Sequence, residues 1–127
     1  MLGMAEMSPP LVALVEELDT FGRLGESAAI ASLYRHLAHW PGFLGSAYVA
    51  LAPLHRNGEL ADTQRRVIAF GREQTLELAG QVAGDLPPLT SEARQAVHAA
   101  LDEFTRLMIG RMIVLGNAMR VLLPAAE

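Results

Sequence analysis

The side chains best equipped for chemistry gather in one stretch, Ser32-Leu33-Tyr34-Arg35-His36-Leu37-Ala38-His39-Trp40-Pro41-Gly42-Phe43-Leu44. The only tryptophan stands directly before a proline. A residue in that position is driven out of the helical region, so Trp40 marks a forced break between two helices. Phe43 follows three residues later. Aromatic rings at such a junction can wall a small apolar pocket, although the plainer reading is core packing. His36 and His39, three apart, share one side of a helix. To hold a metal they need carboxylates from elsewhere, and Glu73 and Glu77 on a later helix are the candidates. The plainer reading is a pair of partly exposed histidines and no metal site. Either histidine could instead serve as a general base, since imidazole titrates near neutrality.

Asn117 lies within the most apolar run of the chain, Leu107 to Leu123, on one stripe with Gly110 and Ile113. A buried amide without partners costs about 1–3 kcal/mol, so Asn117 is expected either to tie helices together or to orient a water or polar ligand. Arg111 and Arg120 on the same run are expected to be exposed or paired with carboxylates. Arg65, Arg66 and Arg72 could grip a substrate carboxylate in forked geometry, but a solvated helix face explains them as well.

The composition closes several routes. The 127 residues contain no cysteine, which removes disulfides, thiol redox chemistry and cysteine-held zinc, and with them any peroxidase role that needs paired cysteines. All ten basic residues are arginine, so there is no Schiff-base or phosphate-loop lysine. A net charge of −4 argues against nucleic-acid binding. The N-terminus lacks the basic and apolar regions of a signal peptide. The run Leu107–Leu123 carries two arginines and an asparagine, so no membrane span is expected, and the expected location is the cytoplasm. An apolar fraction of 51% is high for a chain of this length and hints at a surface covered by another copy.

These residues must be positioned by helices, because apolar residues recur at three and four and never alternate as in strands. Ser8 before Pro9-Pro10 starts a helix with the stripe Leu11, Leu14, Val15 and Leu18, and Gly22 closes it. A second helix is expected from near Ser27, with Ile30, Leu33, Tyr34 and Leu37 inward. Pro41 opens a third, which Pro53 is expected to kink in its last turns and Asn57-Gly58 stops. A fourth runs from about Glu59 to Val82, burying Leu60, Val67, Phe70, Leu78 and Val82. Pro87-Pro88 marks a loop. Thr90 or Ser91 caps a fifth helix through Val97, Leu101 and Phe104, and a sixth continues to Leu123, where Gly110 and Gly116 bend it or admit a neighbouring backbone. The expectation is a single all-α domain over residues 1–127, a compact bundle of five or six helices.

The segment Tyr34 to Pro53, YRHLAHWPGFLGSAYVALAP, resembles the signature of the group I 2-haloacid dehalogenases, most strongly over Ile30–Pro53 and more weakly through the later helices to Asn117. Those enzymes are all-α hydrolases of two tandem repeats, each about as long as this chain, packed as a pseudo-dimer around the active site. An aspartate activates a water that displaces halide from the α-carbon with inversion and without a covalent intermediate. The resemblance implies that Trp40 and Phe43 line a pocket, that Ser32 borders it, and that Asn117 positions the water. It places the catalytic aspartate at Leu33, which cannot act as a base and which the helix pattern independently turns inward. It also implies a homodimer, since one repeat must pair with another to rebuild the body. The apolar helix Leu107–Leu123 is the expected centre of that interface.

Two functions from different classes follow. In one, the protein is a dehalogenase-like helical homodimer with a pocket for a small apolar or carboxylate ligand, without the catalytic aspartate and so non-hydrolytic or of unknown activity. In the other it is an active hydrolase releasing halide from short 2-haloalkanoic acids, with His36, His39, Asp62 or Glu73 as substitute base. Neither needs a cofactor. Replacing Leu33 by aspartate with Ser32 retained discriminates the two, because activity appears only if the rest of the pocket survives.

Overall fold

A computed structural model describes residues 1–26, 30–79, 81 and 88–123, with only the backbone considered at Glu77. All regular structure among them is helical. Ser8 adopts the extended N-cap conformation ahead of α1 (Pro9–Leu18), but its hydroxyl makes no capping bond. The prolines explain this: Pro10 has no N–H to offer, and the first free one, on Leu11, donates to the Ser8 carbonyl at 2.9 Å. Val15 and Leu18 turn into the core, and Gly22, at φ 66°, makes the left-handed turn after the helix.

The second helix begins later than its apolar pattern indicates. Residues 27–29 lie outside the described set, and α2 (Ser32–Leu37) starts only after Ala31, which is extended. Asp19 supplies the reason: its carboxylate accepts the Ala31 N–H at 2.9 Å and holds the backbone there in place of a helical bond. Ile30 therefore precedes the helix. Trp40 breaks the chain at φ −126° and ψ 72°, and Pro41 opens α3 (Pro41–Arg56). Pro53 sits inside α3 without ending it, and Leu44, Ala47, Leu51 and Ala52 are its buried side.

The long helix α4 (Glu59–Ala79) departs most from expectation. Leu60 is buried and Val67 half-buried, but Phe70 is 64% exposed and Leu78 54%. Val82 lies outside the described residues. The reason is length: only the first half of α4 lies over the rest of the bundle, and the second half projects past it. α5 (Ser91–Glu103) is capped by Thr90, whose hydroxyl accepts the Ala93 N–H at 3.2 Å, and it buries no residue at all. It continues without a break through a π-helical turn, Phe104–Ile109, into α6 (Gly110–Val121).

The π turn explains a buried amide. Widening the helix frees backbone carbonyls, and the Arg106 carbonyl accepts from Gln64 Nε2 at 2.6 Å. Gly110 then lets α6 lie against α4, because a Cβ there would stand 2.8 Å from the Ile68 side chain. The buried stripe of the last helical stretch is Leu107, Arg111, Leu115 and Met119, spaced by four. With α1 to α3 it forms one core around Val15, Leu18, Phe21, Tyr34, Leu44 and Leu51.

Candidate functional site

Trp40 and Phe43 do come together. With Leu37 and Leu123 they line an open apolar groove of about 320 Å³. The break at Pro41 places the two rings on the outer rim of the α2–α3 junction, where Trp40 remains 62% exposed and Phe43 half-buried. His39 meets the Trp40 ring edge-on, with ring centroids 5.9 Å apart. The groove volume is at the low end of the range for small-molecule sites, about 300–1,000 Å³. Leu33 is half-buried one helical turn before Leu37, so its side of α2 leads toward the groove.

The other expected site residues lie elsewhere. Ser32 is exposed at the first position of α2 and does not line the groove. Asn117 is exposed and donates from Nδ2 to the Ile113 carbonyl of its own helix at 2.8 Å. The polar residue buried in the last helix is Arg111, because the inward stripe passes through residues 107, 111, 115 and 119 and leaves residues 113 and 117 on the far side.

Arg111 is 1% exposed and pairs with the equally buried Asp19 at 3.0 Å. The Asp19 carboxylate also bonds Arg23, and the Asp19 backbone carbonyl accepts from both arginines. This centre joins α1, the segment before α2, and α6, and nothing in its pairing leaves a carboxylate available for catalysis. Tyr34 lies beside it, fully buried, and its hydroxyl has no partner among the described residues. Burial pushes the Tyr34 phenol well above its ordinary range, opposed by the nearby Arg111 charge and assisted by Asp19.

The candidate bases outside this centre are dispersed. His36 and His39 are exposed, Glu73 is exposed on α4, and Asp62 pairs with Arg65 on its own helix. Glu77 is not described beyond its backbone. Among the described residues no group of three or more His, Asp or Glu side chains could hold a metal. The arginines proposed as a carboxylate grip are also occupied: Arg66 bonds Thr63, and Arg72 pairs with Asp102 across to α5 at 2.7 Å. Arg120 is exposed. Phe21 stacks on His55 with centroids 4.6 Å apart, and Tyr48 donates to Glu17, whose carboxylate holds the Tyr48 phenol above its usual value. These contacts tie α1 to α3.

A second and larger cavity, about 640 Å³, lies between the projecting half of α4 and α5. Ile68, Leu76 and Leu101 supply its apolar wall, and Arg72, Asp102 and His98 its polar edge. Sequence reasoning did not find it, since a groove between two helices depends on their separation, which no pattern along one helix records.

No helix among the described residues is long and apolar enough to cross a membrane. The chain matches no family model, no curated protein and no solved structure. The fold and site together define an all-helical module with, among the described residues, an aromatic-lined apolar groove and a buried ionic centre beside its core in which Asp19 pairs with Arg111 and Arg23 while Arg111 Nε stays without a partner.

Proposed function

We propose that the protein is a dehalogenase-like helical homodimer that binds a small ligand in the Trp40–Phe43 groove and does not hydrolyse it. The composition of the groove carries this reading. Leu37, Trp40, Phe43 and Leu123 offer contact to an apolar body and no side chain able to activate water. The position that the resemblance assigns to the catalytic aspartate is Leu33, packed against the core. A ligand with an apolar body would lie along the two rings, with a carboxylate or other polar end directed out past His39 to solvent.

Trp40 reports on this directly, being both the only tryptophan and part of the wall. Titration with short apolar carboxylates is expected to change its fluorescence saturably. Phe43→Ala is expected to weaken the apparent affinity about tenfold, since an aromatic ring in a ligand's wall contributes about 1.5 kcal/mol. Fluorescence that stays flat across such ligands, or affinity indifferent to Phe43, contradicts the proposal.

A further inference from the structure

We infer that the surface joining two copies of this chain is the projecting arm formed by the second half of α4 and by α5, rather than the outer side of the last helix. The inference rests on the homodimer reading above and names the surface that reading needs.

The arm has too little of its own to hold it. α5 has 13 residues and buries none of them, and residues 69–76 of α4 are all exposed. Both pieces are unpacked extensions of helices whose anchored parts lie in the bundle, and a helical extension that packs no apolar face gains little stability from tertiary contact. The arm's residues are nevertheless apolar where packing would need them. Val97 and Leu101 on α5 and Phe104 at the start of the π turn form one exposed stripe. On α4, Ile68 and Leu76 face the groove, while Phe70 and Leu78 lie about half a turn away on the opposite side. A helix that is apolar on two opposite faces is built to be enclosed.

The area of the whole chain suits a second copy as the occupant. A folded monomer of this mass exposes about 6,600 Å², whereas this chain exposes 8784 Å². The surplus, about 2,200 Å², is what one partner contributes to a large obligate homodimer interface. The arm also carries both halves of a self-complementary surface: an unfilled groove of about 640 Å³ with Leu101 in its wall and, flanking it, a ridge of Val97 and Phe104. A two-fold axis that sets each ridge into the other copy's groove makes the isologous contact that closed dimers use. The last helical stretch also exposes Ile109, Ile113, Val121, Leu122 and Leu123, but its inward stripe is filled by the chain's own core, so it presents a ridge without the matching large groove that the arm carries.

Light scattering on the full chain, combined with hydrogen exchange, tests this. The wild type is expected to be a dimer at micromolar concentration. Leu101→Asp is expected to be monomeric, while Val121→Asp, at the exposed end of the last helix, stays dimeric. Because Leu101→Asp could simply melt the arm, exchange on the wild-type protein decides: amides of residues 91–103 are expected to be protected about a hundredfold or more in the dimer and to lose that protection on dilution. A wild-type dimer whose α5 amides exchange freely, or one dissociated by Val121→Asp and not by Leu101→Asp, overturns the arm as the interface while leaving the homodimer intact. A wild type that is monomeric throughout overturns the homodimer and the arm together, and the groove's ligand binding remains to be judged by Trp40.

Discussion

Removing Asp19 should be among the most damaging single changes in the chain. Both members of the Asp19–Arg111 pair are 1% exposed, and the Asp19 carboxylate also accepts the Ala31 N–H and a bond from Arg23. Asp19→Ala leaves the Arg111 guanidinium buried without its counter-charge, which costs about 3–5 kcal/mol, and frees a backbone N–H for roughly another 1 kcal/mol. A domain of this size has about 5–15 kcal/mol in all, so the urea midpoint should fall by roughly 2 M. Arg111→Met should cost less, because Arg23 and Ala31 still satisfy the carboxylate. The double variant Asp19→Ala/Arg111→Met should cost less than the sum of the two single changes, since neither buried charge is then stranded. Urea unfolding followed by circular dichroism at one fixed protein concentration measures all of these. A cost below about 1 kcal/mol for Asp19→Ala, or strict additivity in the double variant, refutes the buried pair as the organising contact of α1 and α6.

Further changes probe separate links. Gly110→Ala places a methyl group against Ile68, so it should destabilise by about 1–3 kcal/mol through overpacking, and Ile68→Ala in the same chain should restore part of it; thermal unfolding reads both. Tyr34 makes stability fall at high pH. Burial raises its folded-state pKa above the ordinary value of 10.0, so the contribution is complete below that pH and is lost as pH rises beyond it. Tyr34→Phe should flatten this alkaline slope, and at neutral pH it should change stability by less than about 1 kcal/mol, since its hydroxyl leaves no partner behind. Leu115→Ala, in the fully buried stripe of α6, should cost about 2–5 kcal/mol in the same denaturation assay.

Helix starts were readable where covalent geometry dictates them. Pro9, Pro41 and Thr90 open α1, α3 and α5 as a missing N–H, a fixed φ and a capping hydroxyl require. Gly22 and Gly58 likewise take the left-handed turns that their positions indicate. The all-helical architecture and the meeting of Trp40 with Phe43 followed from the same local rules. What periodicity could not supply was the identity of the covering surface. Phe70 and Leu78 have the spacing of buried residues, yet in one chain α4 runs past everything that could bury them. Asn117 shows a related limit. An apolar run does not reveal which stripe faces inward, and here the π turn before Gly110 and the spacing of four from Leu107 select Arg111 instead. The partner of Arg111 lies 92 residues away in Asp19, a pairing that only the tertiary fold creates.

The central claim concerns the groove, and one sample can test it: wild-type protein with 2-chloropropionate, followed at once by Trp40 fluorescence and by chloride release. The account predicts a saturable fluorescence change with chloride remaining at the buffer background, because none of the described lining residues, Leu37, Trp40, Phe43 and Leu123, carries a group able to activate water. Chloride released in proportion to bound ligand would contradict it, and would require a base from outside the described lining residues.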